Sequence, residues 1–444
     1  MRTLRQRYAR VLGETTWVLI GQGLSALATL VGLRLITEFV PPQVYGTVAL
    51  ALGVVALAHG LAAGPLMQAV LRLYPDVAPS DGERPLRRAA LQSLRKPTLL
   101  ALAALALTGA GWSLHRPQEG WAVVAALLLF VVEVARSVEI TFLNAARRQR
   151  EMALLMIADA WARPLCAVAL VWLLGAHAST VLAGYLAGAL IALIGFWLVR
   201  RTYRQVVAQP VRALLPASEL SHRLRAYAWP LTALPLIGWV SGQADRYLIG
   251  AFAGVAPAGL YAALYGLASK PFLMLSASVE LVLRQPYYAR VSAGDRPGEL
   301  RVLLVWLAGV AGASIALCGL IVLLHAPLAT LLLAAEYRTH SSLMGWIAAG
   351  YVLLAAAQVL ERVCYAHHDT RGVAMVQATG ALLSVTVAAP LVWRYGIAGA
   401  AWAVPLYFGA QLLITLARAR RAWRGTGKVA HFKAPASMAR TLGS

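Results

Sequence analysis

Runs of apolar residues recur along the whole chain and are separated by polar connections. Each run has about 20 residues, and an α-helix of that length crosses the ~30 Å hydrocarbon core of a bilayer. A lipid-exposed span must satisfy its backbone hydrogen bonds internally, which favours helices. We therefore predict an all-α integral membrane protein with twelve spanning helices, at residues 17–38, 45–71, 97–114, 120–143, 152–174, 179–199, 228–250, 258–283, 301–324, 341–361, 372–393 and 397–417.

The first apolar run has two interpretations. Met1–Arg10 is basic, the run follows from Trp17, and Ala26-Leu27-Ala28 resembles the cleavage site of a secretory signal peptide. However, the run continues through Ile36, which is long enough to span a bilayer. We interpret it as an uncleaved first helix.

The composition agrees with a chain that lies mostly in lipid. Of the 444 residues, 60% are hydrophobic and 13% are charged, whereas ordinary soluble domains carry about 25% charged residues. Cys166, Cys318 and Cys364 lie in or at the ends of apolar runs and form no CxxC pair. The sequence therefore predicts neither a disulfide framework nor a zinc site.

The positive charge of the chain is distributed on one side of the predicted spans. Of the 40 Lys and Arg residues, 32 lie in the two tails and in alternate connections, three lie in the other connections, and five lie within helices. By the positive-inside rule, this asymmetry predicts a multi-pass protein of the inner membrane with both termini in the cytoplasm. The net charge of +22 is thus a topology signal, and we expect no nucleic acid as a partner.

The spans form two sets of six. We predict an N-terminal lobe at residues 1–210, a cytoplasmic linker at 211–227, a C-terminal lobe at 228–420 and a basic cytoplasmic tail at 421–444. Tyr45–Leu50 aligns with Ala258–Ala263 at a shift of 213 residues, which indicates an internal repeat. Gly and Ala are also common in any helical turn in lipid, which is the alternative explanation. A parallel repeat of six helices predicts a central cavity between the lobes.

Ionisable residues occur inside the predicted helices, where each charge costs about 2.5–3.5 kcal/mol on insertion scales. Glu133, Arg136 and Glu139 recur every three residues, within one broad face of the fourth helix, and Asp159 and Arg163 are four residues apart in the fifth. The remaining candidates are Arg34 and Glu38, Asp245 and Arg246, Lys270 and Glu280, with His59 as a weaker one. Each closely spaced pair is also consistent with a self-neutralised tie between helices.

Three segments carry a resemblance to a known family. They read D-R-Y-L-I-G followed by a G-L-Y-A-A turn (residues 245–263), R-L-I-T-E-F-V-P-P-Q-V-Y-G-T-V-A-L (residues 34–50) and R-Y-G-I-A-G-A-A-W-A (residues 394–403). Together they resemble Wzx-type polysaccharide flippases, of the multidrug/oligosaccharidyl-lipid/polysaccharide exporter superfamily. The resemblance implies a protein that flips an undecaprenyl-diphosphate-linked oligosaccharide across the inner membrane for O-antigen, capsule or exopolysaccharide assembly. It also implies coupling to a proton or cation gradient.

A diphosphate-linked lipid has an anionic head, and Arg or Lys side chains match its phosphate oxygens. The predicted substrate-binding residues are therefore the five bases within helices: Lys270, Arg246, Arg163, Arg34 and Arg136. Lys270 is the first of them, because it has no carboxylate at helical spacing and precedes Pro271, which frees a backbone carbonyl. The predicted ion-coupling residues are the carboxylates Asp159, Asp245, Glu133 and Glu280.

Other functions remain possible for such a fold. A drug or cation antiporter of the same superfamily would need an acidic cavity, and five interior bases disfavour it; a peptidoglycan-precursor flippase usually has fourteen helices. A membrane-embedded glycan polymerase or ligase would need a large periplasmic loop, which the chain lacks. Because no phosphate-binding loop, nucleophile triad or metal cluster occurs in the sequence, we expect a transporter without cofactors rather than an enzyme. Its expected partners are the bilayer, a lipid-linked oligosaccharide, and polysaccharide polymerase and assembly proteins.

Overall fold

The computed structural model describes residues 2–81, 83–204 and 217–425, which form α-helices joined by short turns. Three short 3-10 turns follow α3, α7 and α10. In chain order the α-helices are α1 (Arg2–Phe39), α2 (Pro42–Asp81), α3 (Glu83–His115), α4 (Gly120–Ala145), α5 (Gln149–Leu174), α6 (Ala178–Arg204), α7 (Ala217–Ala228), α8 (Leu234–Phe252), α9 (Val255–Ser292), α10 (Arg296–Leu332), α11 (Leu343–Ala366) and α12 (Thr370–Gly425).

The twelve predicted spans are confirmed as α1–α6, α8–α11 and the two parts of α12. Gly396 divides α12, because its backbone has φ 57° and ψ −133°, a combination outside the helical region. Within the described residues, nine helices are long and apolar enough to cross a membrane, and the stretch Arg371–Arg424 is long enough for two crossings. The remaining two spans, α4 and α8, contain interior charges.

The boundary predicted for the third helix is wrong. The span was predicted to begin at residue 97, but α3 already begins at Glu83. Leu86, Ala89 and Leu94 are buried on one side of this segment, while its other side is exposed. The segment is therefore an amphipathic extension of the spanning helix, which average hydropathy does not detect.

The segment predicted as a linker contains a helix. Residues 205–216 lie outside the described residues, as do residues 426–444 of the predicted tail, but α7 fills the rest of the linker. Leu220, Leu224 and Ala228 of α7 are buried in the apolar core formed by α2, α3 and α4. This helix therefore packs with the first lobe, although it lies next to the second lobe in sequence.

The two lobes meet at positions that the internal repeat makes equivalent. A Cβ atom on Gly46 would collide with the carbonyl oxygen of Val255, and a Cβ atom on Gly259 would collide with that of Pro42. Both pairs, 42 with 255 and 46 with 259, differ by 213 residues. Because each repeat makes the same contact with the other, the pseudo-two-fold axis passes between these glycines.

Further contacts close the lobes on the side opposite the basic connections. The hydroxyl of Tyr337 donates to the carbonyl of Val40 at 2.7 Å, and the amide of Ala334 donates to Thr37 Oγ1 at 3.2 Å. Tyr247 of α8 donates to the Leu50 carbonyl at 2.7 Å. We refer to these contacts, together with the Gly46–Gly259 contact, as the outer seam.

Candidate functional site

Four of the predicted residues form one ion-pair network in the first lobe. Arg163 Nη1 lies 2.5 Å from Glu133 Oε1, and Arg163 Nε lies 2.8 Å from Asp159 Oδ1. Arg136 contacts the same two carboxylates, at 2.5 Å for Glu133 and 3.6 Å for Asp159. Two bases and two acids give this α4–α5 network a net charge of zero. It therefore stabilises the helix pair and holds both guanidinium groups close to carboxylates.

The network has polar atoms without partners at its edge. Arg163 Nη2 and His59 Nε2 are buried and, within the described residues, have no hydrogen-bond partner. His59 interacts electrostatically with Glu133 and Arg136. A buried donor or acceptor without a partner costs about 1–3 kcal/mol. The network can therefore gain hydrogen bonds from a polar ligand or from water.

The second lobe presents a different arrangement around Asp245. This buried carboxylate accepts a hydrogen bond from the hydroxyl of Tyr261 at 2.7 Å and another from the backbone amide of Arg246 at 2.8 Å. Within the described residues, no side-chain nitrogen of Lys, Arg or His lies within 4 Å of its oxygens. Asp245 is therefore held by dipoles rather than by a contact ion pair.

The two bases of the second lobe also lack contact ion pairs. The guanidinium of Arg246 donates to Gln243 and lies 4.9 Å from the centre of the Tyr265 ring, and its Nε has no hydrogen-bond partner in the described part of the chain. The side chain of Lys270 is exposed and contacts no carboxylate of the described residues. Lys270 and Arg246 interact electrostatically with each other. Together with Asp245, the neighbour of Arg246 in sequence, these two bases leave a net charge of +1. A net positive charge in a low-dielectric interior favours an anion nearby.

Two tyrosines connect the charged groups of the two lobes. Tyr185 of α6 interacts electrostatically with Arg163 and with Tyr45 of α2, and Tyr45 in turn interacts with Arg246. Tyr45 also packs edge-on against Tyr337 of the outer seam, with ring centres 5.9 Å apart. Tyr45 thus contacts the outer seam directly.

A buried tyrosine cluster was not predicted. Tyr351 donates to Tyr265 at 2.9 Å, the rings of Tyr261 and Tyr265 lie 5.4 Å apart, and Tyr407 completes the group. Tyr261 and Tyr265 are four residues apart in the G-L-Y-A-A-L-Y segment, which was the available signal. The cluster holds Tyr261 rigidly against Asp245.

The remaining predicted residues belong to separate ion pairs. Arg34 pairs with Glu38 four residues later in α1. Glu280 accepts from Arg284 at 3.3 Å and from Arg362 of α11 at 3.2 Å. These contacts are local, and they account for the charges without a ligand.

The expectation that Glu139 shares a face with Glu133 and Arg136 is wrong. Glu139 is buried and pairs instead with Arg87 of α3 and with Arg200 of α6, the latter at 3.0 Å. Trp197 Nε1 also donates to it at 3.0 Å. Six residues turn an α-helix by about 600°, so Glu139 lies roughly a third of a turn away from Glu133.

The sequence matches the family described as polysaccharide biosynthesis protein over residues 11–290. The chain belongs to this family. No curated protein matches its sequence. The family assignment and the fold comparisons together confirm the resemblance to flippases of the multidrug/oligosaccharidyl-lipid/polysaccharide exporter (MOP) superfamily.

Solved structures of the same superfamily share the fold of this family member. The lipid II flippase MurJ in an inward closed conformation has a TM-score of 0.70 at 13% identity, with 91% of this chain and 87% of that chain covered. An inward-facing multidrug resistance MATE transporter has a TM-score of 0.64 at 13% identity, with 92% and 96% covered. A MOP superfamily transporter from Pyrococcus furiosus has a TM-score of 0.57 at 13% identity, with 95% and 96% covered. The two-lobed, twelve-helix architecture is therefore one that this chain shares with solved membrane transporters.

Proposed function

We propose that this family member flips an undecaprenyl-diphosphate-linked oligosaccharide from the cytoplasmic to the periplasmic leaflet of the inner membrane. The product serves O-antigen, capsule or exopolysaccharide assembly, in contact with a polymerase and assembly proteins. Both termini and the basic connections face the cytoplasm in this proposal. The outer seam then lies on the periplasmic side, so the described arrangement is closed toward the periplasm.

The observation that carries the proposal is the pair formed by Lys270 and Arg246. Both bases belong to spanning helices: Arg246 lies against the ring of Tyr265, and Lys270 follows Tyr265 by five residues in α9. Neither forms a contact ion pair with a carboxylate in the described residues. Asp245 offsets only one of the two bases, and an excess positive charge is costly in the membrane. A diphosphate offsets that cost, since it brings two phosphates and several acceptor oxygens.

Arg163 and Arg136 have a second role in this proposal. Their carboxylate partners neutralise them while the site is empty. An arriving diphosphate competes with Glu133 and Asp159 for the same guanidinium groups. The free Nη2 of Arg163 supplies the first contact, because it can bind without breaking an existing ion pair. Arg34 is a weaker candidate for substrate binding, because it already forms an ion pair with Glu38.

Asp245 is the strongest of the four candidates for ion coupling. Glu133, Asp159 and Glu280 each contact two arginines, whereas Asp245 contacts only a hydroxyl and an amide. A carboxylate without a contact ion pair in a low-dielectric interior binds a proton or a cation readily. Its neighbour Arg246 belongs to the proposed head-group site, so that cation binding and anion binding meet at adjacent residues.

The rival function, drug or cation antiport, fits these charges less well. A cationic substrate would have to approach Lys270 and Arg246, and charges of the same sign repel each other. Replacement of these bases distinguishes the two functions. It should impair transport of an anionic lipid, and it should not impair export of a cation.

The test replaces Lys270 and measures surface polysaccharide in a strain that lacks its own flippase. Charge-assisted contacts to phosphate contribute roughly 1.5–3 kcal/mol, which corresponds to about ten- to a hundredfold in affinity. Lys270→Ala should therefore reduce export by about that factor, and Lys270→Arg should retain part of it.

Arg371→Ala is the matched control, because Arg371 is an exposed base at the start of α12, outside the interior. It should export normally, and all variants should accumulate in the membrane to the same level. Full export by a Lys270→Ala, Arg163→Ala double variant would contradict the proposal.

A further inference from the structure

The first half of α3 carries a stripe of bases on its outer surface. Arg84, Arg88, Arg95 and Lys96 are exposed, and in the described part of the chain none of them lies within 4 Å of a carboxylate. Arg87 of the same segment points inward and pairs with Glu139 and Glu83. One arginine of the segment thus holds α3 in the lobe, while the other four bases remain available.

The stripe continues directly into the lipid-facing side of α3. Eleven residues complete three helical turns to within about 20°. Arg88 therefore lies above Leu99, and Lys96 lies above Leu107. These leucines are 55% and 75% exposed, as expected for side chains that touch lipid tails. The part of a helix face that lies in the hydrocarbon core contacts acyl chains. The part of the same face just outside the core therefore contacts the head groups of the same lipids.

The depth of the stripe agrees with this assignment. Trp112 marks the other end of the α3 span, since Trp is enriched at membrane interfaces. Lys96 lies about 24 Å from it along the helix axis, and Arg88 about 36 Å, at ~1.5 Å per residue. A hydrocarbon core of ~30 Å ends between these two positions. The four bases therefore straddle the boundary where lipid phosphates lie.

α7 supplies an independent marker of the same level. Ser221 Oγ donates to the carbonyl of Ala89 at 3.4 Å, which ties α7 to the basic segment of α3. Trp229, the first residue after α7, is 78% exposed, and Tyr227 in the last turn of α7 is also exposed. An exposed Trp–Tyr edge beside a basic surface is typical of an element that lies in the head-group region.

We propose that Arg84, Arg88, Arg95 and Lys96 of α3, with the Tyr227–Trp229 edge at the end of α7, form a binding platform for anionic phospholipid head groups. The ligand is the phosphate of a bilayer lipid with net negative charge, such as phosphatidylglycerol. Because α7 leads directly into α8, a lipid bound here holds the connection between the lobes against the first lobe. This site is separate from the proposed flipping site and does not depend on the substrate.

The experiment measures binding of phosphatidylglycerol to the purified full-length protein by native mass spectrometry. Phosphatidylcholine, which has no net charge, is the reference lipid. The platform variant carries Arg84→Gln, Arg88→Gln, Arg95→Gln and Lys96→Gln. The control variant carries Arg371→Gln, Arg420→Gln, Arg421→Gln and Arg424→Gln, which removes the same charge from exposed bases of α12.

Each neutralised base of the platform should weaken binding at this site roughly fivefold. The platform variant should therefore lose its preference for phosphatidylglycerol over phosphatidylcholine, while the control variant keeps it. An unchanged preference in the platform variant, or an equal loss in both variants, would overturn the proposal. If the fourfold variant does not accumulate, two double variants replace the comparison. Arg95→Gln with Lys96→Gln should weaken binding of phosphatidylglycerol by about 30-fold. Arg420→Gln with Arg421→Gln should leave that binding unchanged.

Discussion

The interior carboxylates of this protein differ in what surrounds them, and their differences decide what each can do. Glu139 is 2% exposed and compensates the buried Arg200 and the half-buried Arg87, whereas the side chain of Glu38 is 51% exposed and pairs with one arginine four residues away. A buried carboxylate that compensates bases is difficult to remove, because its partners are left charged in a low dielectric. An exposed pair of the same chemistry contributes little.

Glu139→Gln should therefore destabilise the protein by about 1.5–3 kcal/mol, because Arg87 and Arg200 lose their most buried counter-charge and keep only the longer contacts with Glu83. Glu38→Gln should cost less than about 1 kcal/mol. Thermal unfolding of the two purified variants in detergent checks the difference. Equal unfolding temperatures of the two variants would show that water reaches Glu139 and its two arginines.

Asp245→Asn should abolish gradient-driven transport while the protein accumulates normally. The amide oxygen of Asn can still accept one of the two hydrogen bonds, and no contact ion pair is broken. Transport by proteoliposomes under an imposed proton or sodium gradient measures the loss.

Asp159→Asn is the informative comparison, because it takes a carboxylate from Arg163 and Arg136 and should lower the amount of folded protein. Wild-type transport by Asp245→Asn would remove this residue from the coupling mechanism.

At the scale of the helices, single glycines decide where a long element ends. Thr370–Gly425 is continuous except at Gly396, whose backbone conformation is almost restricted to glycine. Gly312 lies in α10, and a Cβ atom there would meet nothing within 4 Å. Gly396 is needed for its backbone conformation, whereas the surroundings of Gly312 do not require glycine.

Gly396→Ala should cost about 1–3 kcal/mol, because alanine must adopt a strained conformation to keep both halves of α12 in place. Gly312→Ala should be neutral or stabilise the protein by up to about 1 kcal/mol, as alanine favours a helix interior. The temperature at which each variant unfolds distinguishes the two outcomes. A Gly396→Ala variant as stable as the native protein would mean that α12 can pass through this point unbroken.

Apolar run length was sufficient to predict the spans, because the bilayer requires it of every crossing helix. It was insufficient for residues 83–96 and for α7, where only one face of each helix is apolar. Helical spacing likewise predicted that Asp159 pairs with Arg163, within one helix. It could not predict that Glu133 pairs with Arg163, because that contact depends on how α4 packs on α5.

At the scale of the whole molecule, alternating access requires the outer seam to open. The Gly46–Gly259 contact allows the backbones of α2 and α9 to touch, and it has no room for a methyl group on either residue. The closed seam therefore depends on two positions that the repeat makes equivalent. A larger side chain at one of these glycines should shift the balance between the closed and open forms more than it destabilises either lobe.

Gly259→Ala should cost the closed seam about 1–3 kcal/mol and shift the balance tenfold or more toward the open form. A cysteine at the buried Thr47 should then react faster with an impermeant maleimide added from the periplasmic side. Gly266→Ala in the same helix, where a Cβ atom meets nothing within 4 Å, should leave the rate unchanged. Equal labelling in both variants would mean that the seam does not open at this point.

The position of α7 has a consequence for how the protein is made. A shift of 213 residues relates α7 to residues 4–15 of α1, so that by descent α7 belongs to the second repeat, whereas its apolar face fills the core of the first lobe. When the sixth span leaves the ribosome, the surface of α2 and α3 that α7 covers is still bare. The first lobe is complete only after synthesis has entered the second repeat, so an element of the second repeat joins the two halves before the second lobe is finished.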